Sequence, residues 1–443
     1  MEWKKLLSPQ RFMREDIPPD IWSDVRTEFQ RDFDRIIFST PFRRLQNKTQ
    51  VFPLPEKIFV HNRLTHSLEV ASVGRSIGNQ VFKKIKSRLS AEETEIVSEI
   101  GSVVATACLV HDLGNPPFGH SGEKAISNFF VNGKGAEIKT HFNDQQFNDL
   151  AYFEGNANLL RLLTHQFNGR RKGGYALTYA TLATTIKYPF SSLNVKKQKK
   201  YGHFYSENDT FRQIIEHAEI PKITDNPLMF ARHPLVYLVE AADDICYQIM
   251  DMEDAMKLNI MSKNHVRELF MEFFDDKVDA NRIAKIKNTV SEVTDANEQM
   301  AFIRAMVIGK LTEEAANAFV ANYDSIMNGT FESKLLKCIG TKQSAALKNI
   351  GDIAFAEVYN HPSVVKIEIA GYNVLGFLMQ EFSDAILNPN ADYSRKLLSL
   401  FPSQYRSEND SIYDKMRSVV DFISGMTDTY AVSVYRQIKG IDI

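Results

Sequence analysis

Between Ile96 and Leu113 the chain carries Ile96, Ile100, Val103, Val104, Ala107 and Val110 at helical spacing, then meets Gly114-Asn115-Pro116-Pro117. A surface helix keeps a polar face, and this run has almost none, so it predicts a deeply buried helix. Glycine followed by two prolines ends it. A buried helix needs partners on all sides, and strand signals elsewhere in the sequence are scarce. The chain is therefore expected to be mainly α.

Two further helices are legible beside it. Leu64–Lys86 places Leu64, Leu68, Val70, Ala71, Ile77 and Val81 at roughly helical spacing. Pro234 opens another, from Leu235 to about Met252, with proline in its favoured first-turn position. Glu154–Gln166 also reads as helical, and residues 167–226 read as more irregular. That stretch holds a basic turn, Asn168-Gly-Arg-Arg-Lys-Gly-Gly, and a basic run, Lys196-Lys-Gln-Lys-Lys. Such runs are commonly solvated loops. Pro18-Pro19 marks an irregular N-terminal arm. Beyond residue 261 the pattern is of amphipathic helices, with Ile367–Phe382 either a strand or a buried helix.

Composition excludes several classes. The 443 residues are 44% apolar and 24% charged, an ordinary globular balance, and 53 Lys+Arg offset 55 Asp+Glu. No global charge advertises nucleic acid or membrane as a partner, although a polyanionic substrate needs only local cations. Cys108, Cys246 and Cys338 lie far apart, which argues against a disulfide framework and a thiolate zinc site. The start, Met1-Glu-Trp-Lys-Lys-Leu-Leu-Ser-Pro, lacks the apolar core of a signal peptide, and stretches such as Ser102–Val110 are too short to span a bilayer. A cytoplasmic protein is expected.

The residues that carry chemistry are His66 on the first helix, His111-Asp112 on the second and Asp243 on the third. Two imidazoles and two carboxylates form a mixed nitrogen and oxygen set suited to a divalent metal such as Mn, Fe, Co, Ni or Zn, or to Mg. Adjacent residues on a helix point about 100° apart, so His111 and Asp112 converge on one ion only near a helix end. Gly114-Asn115-Pro116 supplies that end. His120 and Glu123, three apart just past the prolines, form a second pair in which a carboxylate holds an imidazole in one tautomer. No Gly-x-x-x-x-Gly-Lys-Ser/Thr loop occurs, which removes the P-loop reading.

The strings around these residues are Asn62-Arg-Leu-Thr-His66-Ser-Leu-Glu-Val, His111-Asp-Leu-Gly-Asn-Pro-Pro-Phe-Gly-His120-Ser-Gly-Glu123 and Glu240-Ala-Ala-Asp243-Asp-Ile-Cys-Tyr247. With Arg31-Asp-Phe-Asp-Arg-Ile-Ile-Phe-Ser-Thr-Pro-Phe-Arg-Arg-Leu-Gln-Asn-Lys-Thr-Gln-Val-Phe-Pro, Phe153-Glu-Gly-Asn-Ala and Lys187-Tyr-Pro, they resemble the deoxyguanosine triphosphate triphosphohydrolases, a branch of the HD superfamily. The resemblance implies an all-α HD-domain phosphohydrolase fold with additional C-terminal helices. It divides the chain into an arm (1–30), an HD-type core (31–260) with an inserted basic loop region near 167–206, and a helical region (261–443) packed on the core.

The same resemblance makes His66, His111, Asp112 and Asp243 the ligands of one divalent metal (Mn, Mg, Co, Fe or Ni). Asp244 is the rival for the fourth position. Asp243 is preferred because related hydrolases place a substrate-contacting Tyr four residues after the ligand and an Asp eight after, which Tyr247 and Asp251 match. His120 becomes the general acid or base, with Glu123 orienting it or the attacking water. Arg63 and Asn115 are implied phosphate contacts, Lys187 and the Lys196–Lys200 run weaker ones, Gln46 a contact to base and sugar, and Asn156 a contact to the nucleotide.

The implied reaction is hydrolysis of dGTP, and of other dNTPs in broad relatives, to a deoxynucleoside and inorganic triphosphate by water attack at the α-phosphate. Tyr247 against C2′ would exclude a ribose hydroxyl, and Asp251 would bond the 3′-hydroxyl. Relatives assemble as tetramers or hexamers, and some respond to an allosteric nucleotide or retain single-stranded DNA. The rival readings are another HD phosphohydrolase, acting on nucleoside monophosphates or cyclic nucleotides, and a nucleic-acid-binding HD protein without turnover.

Overall fold

A computed structural model describes residues 1–14, 25–52, 60–407 and 409–441. Pro18-Pro19 of the expected arm lie outside them. Helices dominate, and among the described residues the only sheet is one antiparallel pair, β1 (Lys222–Asp225) and β2 (Leu228–Phe230). No described helix is long and apolar enough to cross a membrane.

The helices that position the site are, in chain order, α1 (Glu28–Ile37), α2 (Arg63–Ile85), α3 (Ala91–Val97), α4 (Ile100–Val110), α5 (Gly119–Val131), α6 (Gly155–Thr164), α7 (Val236–Lys257), α8 (Ala296–Ala321), α9 (Pro362–Leu387) and α10 (Ile412–Ser424). Helix α2 starts at a capping box: the Asn62 side chain accepts from the Thr65 N–H at 2.9 Å, and the Asn62 N–H donates to the Thr65 hydroxyl at 3.1 Å. It then lies tightly along α4. A Cβ on Gly74 would stand 2.4 Å from the Cys108 sulfur, so only glycine permits this approach. Helix α4 is buried along nearly its whole length, as its unbroken apolarity requires.

The predicted Ile96–Leu113 helix is two helices. Ile96 belongs to α3, which ends where the Ser98 hydroxyl turns back to the Glu95 carbonyl at 2.6 Å; such local bonds compete with helix continuation. The third predicted helix begins at Val236 and runs on past Met252 to Lys257. Residues 167–226 are less irregular than expected, for they include helices Tyr179–Thr185 and Asn208–His217. The first is buried on all sides, so it shows no amphipathic period for a sequence reading to find. Ile367–Phe382 lies within the 26-residue α9 and is helical.

The first fourteen residues pack into the body of the protein. Trp3, Leu6, Leu7 and Phe12 are buried, the Trp3 indole donates to the Tyr323 hydroxyl at 2.8 Å, and the N-terminal ammonium donates to the Met327 carbonyl at 2.7 Å. Two apolar clusters result. One gathers α2, α4, α7 and α8; the other gathers α5 with α9, α10 and the final helix.

A buried ionic knot joins α6 to α10. The Arg161 guanidinium grips Asp421 through Nε (2.9 Å) and Nη2 (2.8 Å) and donates from Nη1 to Glu207 at 2.6 Å. Arg417 also donates to Asp421, at 3.1 Å, and its guanidinium lies 3.8 Å from the centre of the Phe204 ring. Breaking a buried pair strands charge, so Asp421→Ala should destabilise the fold by on the order of 3–5 kcal/mol. Urea denaturation of the two proteins checks this, with a fall in midpoint and an unchanged slope expected.

Candidate metal and active site

His66 stands in the first turn of α2, where the Asn62 cap fixes the start of the helix. His111 and Asp112 follow the last turn of α4, and Asp243 projects from α7. The Asp243 Oδ1 lies 3.3 Å from the Nε2 of both His66 and His111, and the His111 Nε2 is 3.6 Å from the Asp112 Oδ1. Because α4 ends at Val110, the consecutive His111 and Asp112 reach the same point. The His111 Nδ1–H donates to the Cys108 carbonyl at 2.7 Å, which turns the buried Nε2 toward Asp243 and Asp112 without a well-aligned hydrogen bond to either. Burial alone would lower the His111 pKa, but Asp112 and Asp243 beside it push it up to about 9. Such crowding of imidazoles and carboxylates around an orphaned nitrogen fits a divalent cation. The donor atoms of His66, His111 and Asp112 all lie within 4.8 Å of one another.

Asp244 turns elsewhere: its Oδ2 accepts from the Lys334 ammonium at 2.9 Å. Asp112 is held from both sides. Arg63 Nη1 donates to its Oδ2 at 2.7 Å and the Asn115 amide to its Oδ1 at 2.6 Å. Both predicted phosphate contacts thus bond a candidate ligand, while both also line the cavity beside it. Burial raises the Asp112 pKa, and Arg63 with the imidazoles more than reverses that.

The cavity is about 600 Å³. His120 stands exposed at its edge, with Nδ1 bonded to the Oε2 of buried Glu123 at 2.7 Å. The other Glu123 oxygen accepts from the Gly155 N–H at 3.0 Å, so the pair is anchored on the start of α6. The turn that presents it is strained: Phe118 has φ +61°, a conformation costly for a bulky residue. Asp428 holds the turn in place by accepting from the Phe118 N–H at 3.1 Å and from the Thr49 N–H at 2.9 Å.

Cations line another part of the wall. Lys187 lies 3.5 Å from Glu240, and Lys200 bonds Glu154 at 2.9 Å. Of the basic run, only Lys200 lines the cavity. Asn156 lines it too, and its amide donates to Glu154 at 2.6 Å. Tyr247 stacks on Tyr359 with ring centres 5.7 Å apart, and the Tyr359 hydroxyl donates to Asp251 at 2.7 Å. Asp251 itself lies beneath this stack, off the lining, and burial pushes its pKa up to about 8.

Gln46 lies outside the cavity. The turn Leu45–Asn47 buries Leu45 and the following Lys48 and leaves Gln46 exposed. Gln50 lines the cavity instead, with a buried side-chain oxygen that has no partner. Gln50, Glu154 and Tyr359 escaped the sequence reading. The first two stand inside recognised strings without a positional signal of their own. Tyr359 follows a single π-helical turn, Ala354–Val358, that no periodicity announces.

Residues 63–172 match the HD domain family, and residues 339–437 match the phosphohydrolase-associated domain. The chain is 37% identical to a deoxyguanosinetriphosphate triphosphohydrolase-like protein of Synechocystis over the full length of both. It belongs to the deoxyguanosinetriphosphate triphosphohydrolase family. A Listeria monocytogenes protein of the same description is 35% identical across both chains, and a Serratia proteamaculans deoxyguanosinetriphosphate triphosphohydrolase is 30% identical over 100% of this chain and 99% of its own. The chain is therefore an HD phosphohydrolase, and HD domains bind divalent metals. Both matched segments of this triphosphohydrolase-family chain line the cavity: the HD segment contributes residues from Arg63 to Asn156, and the associated domain contributes Phe355 and Tyr359.

The two adjacent carboxylates should separate on mutation. Asp243→Ala is expected to abolish Mn²⁺ binding measured by calorimetry, while Asp244→Asn, which loses only the Lys334 bond, should retain it. Retention by Asp243→Ala would move the ligand role to Asp244.

Proposed function

We propose that this phosphohydrolase cleaves dGTP, with other dNTPs within its reach, to the deoxynucleoside and inorganic triphosphate. The observation that carries the reading is a single cavity lined by His111, Asp112 and Asp243 of the histidine–aspartate cluster, the His120–Glu123 pair, two lysines and a stacked pair of tyrosines. A metal-only phosphodiesterase needs the first of these and not the rest.

One divalent metal (Mn, Mg, Co, Fe or Ni), held by His66, His111, Asp112 and Asp243, would supply Lewis acidity toward the α-phosphate and a more acidic water. The chain's own groups do the remainder. Arg63 and Asn115 hold the Asp112 carboxylate ionised and oriented. Lys187 and Lys200 offset the charge of the outer phosphates, since charge neutralisation is most of phosphoryl-transfer catalysis. Water oxygen bonds to the α-phosphorus and gives up its proton to solvent, the bond from phosphorus to O5′ breaks, and His120 delivers a proton to O5′ as it leaves, to be reprotonated from solvent. Glu123, bonded to Nδ1, stabilises the protonated ring and aims it. Tyr247 packs against the sugar at C2′, and Tyr359 presents its ring beside it while Asp251 fixes that hydroxyl from below. Gln50 brings an unsatisfied carbonyl to the same cavity, an acceptor for a sugar hydroxyl or base N–H.

Chromatographic product analysis with each dNTP and with GTP tests this directly. Deoxyguanosine with intact triphosphate, mainly from dGTP, is expected. Cleavage of all four dNTPs keeps the reaction and removes the base preference, and equal turnover of GTP removes the steric role of Tyr247. Release of phosphate or pyrophosphate overturns the reading. His120→Ala should lower kcat by about 10²–10⁴-fold, the usual worth of a positioned acid, with Mn²⁺ affinity unchanged.

A further inference from the structure

Glu240, Asp243 and Asp244 stand close together on α7, and all three line the cavity described above. A divalent metal accounts for Asp243 alone. Bare carboxylates beside it would repel a polyanionic substrate, so their charge needs an answer. Helix α7 also sets an order along the cavity. At about 1.5 Å per residue, Tyr247 and Asp251 lie about 6 Å and about 12 Å from Asp243 toward the C-terminal end, and Glu240 about 4.5 Å toward the N-terminal end. With the nucleoside on the tyrosines and the α-phosphate beside Asp243, as proposed above, the outer phosphates run toward Glu240 and its partners.

Three cations from separate parts of the chain meet there. The Lys187 Nζ lies 3.5 Å from the Oε1 of buried Glu240, and Arg232 donates to its Oε2 at 3.3 Å. Lys334 donates to the Asp244 Oδ2 at 2.9 Å, and its Nζ stands 3.6 Å from the Glu240 Oε1. Lys334 falls between the two family-matched segments, which end at residue 172 and resume at 339. Its place is built all the same. The Tyr237 hydroxyl in the first turn of α7 donates to the Phe331 carbonyl at 2.5 Å, and the two rings pack edge to face with centres 5.2 Å apart. Leu335 and Leu336, directly after Lys334, are buried. The segment is thus pinned to the start of α7. Burial alone would lower the Lys334 pKa, and Asp244 and Glu240 more than reverse that. An ammonium has three N–H groups, and among the described residues the Asp244 bond occupies one. The side chain is 43% exposed, which leaves the others accessible to a ligand.

We propose that Lys334 is a specificity-determining residue of this cavity: it binds the outer phosphates and makes the site select a triphosphate over a monophosphate. The inference rests on the nucleotide reading above and names what sets the number of phosphates. Asp244 and Glu240 hold the ammonium at the phosphate end, so Asp244 serves as the support of a binding cation. Lys187, on the same Glu240 oxygen, adds a second positive charge. A deoxynucleoside monophosphate ends beside Asp243 and does not reach Lys334.

Equilibrium binding of dGTP, dGDP and dGMP in the presence of Mn²⁺ tests this, in full-length protein carrying His120→Ala so that nucleotide is consumed slowly. Adding Lys334→Gln should weaken dGTP at least about tenfold and dGMP less than about twofold, with dGDP between them. Mn²⁺ affinity and melting temperature should stay as they are. Lys334→Arg, which keeps the charge, should retain the preference for dGTP over dGMP. Unchanged dGTP affinity in Lys334→Gln, or equal weakening of dGTP and dGMP, overturns the role of Lys334 and leaves the nucleotide reading standing. Binding of dGTP no tighter than dGMP by the protein with Lys334 intact overturns that reading, and the inference with it.

Discussion

The Asp112 carboxylate is the charge around which this structure is arranged. A buried carboxylate is stable only where its lone pairs are satisfied, and here Arg63 takes one oxygen and Asn115 the other. Arg63 is the first residue of α2, so the bond fixes the start of that helix and with it His66. Asn115 lies in the turn after α4, so the second bond fixes the helix end that lets His111 and Asp112 converge. The positions of His66, His111 and Asp112 are consequently a property of two helix termini, held in register by one anion and by the close glycine-mediated packing of α2 on α4.

That arrangement extends into the C-terminal half. Lys48 joins the Asn115 carbonyl to Ser424 on α10, and Asp428 clamps the backbone of Thr49 and the strained Phe118. Gly371 of α9 admits the Phe118 side chain, which a Cβ there would meet at 2.4 Å. The His120–Glu123 pair therefore depends on helices far away in sequence. The phosphohydrolase-associated segment is part of the wall of the candidate active-site cavity, through Phe355 and Tyr359.

Much of the site was legible because its chemistry is locally encoded. His66, His111-Asp112, the His120–Glu123 spacing and Tyr247 four residues beyond Asp243 sit on helices whose apolar faces are periodic, and a helix fixes the relative direction of neighbours along it. What escaped depends on partners without a local signal. The Tyr179–Thr185 helix is buried all round and lacks a period. Gln46 and Gln50 lie four residues apart in one string, and only the turn between them decides which enters the cavity. The resemblance implied Asp251 as a sugar contact, and Tyr359, 108 residues later, donates its hydroxyl to that carboxylate.

The sequence by itself determined the helical class and the family, and it set out the candidate ligand and acid–base residues, through helical periodicity and through motif strings that resemble the family. Tertiary structure decided which of two adjacent aspartates faces the histidines and which glutamine lines the candidate cavity. Lys334 draws Asp244 aside from 90 residues away, and Lys48 meets Ser424 across 376. Such contacts are set by how whole helices pack, and nothing in the local order of residues specifies them in advance.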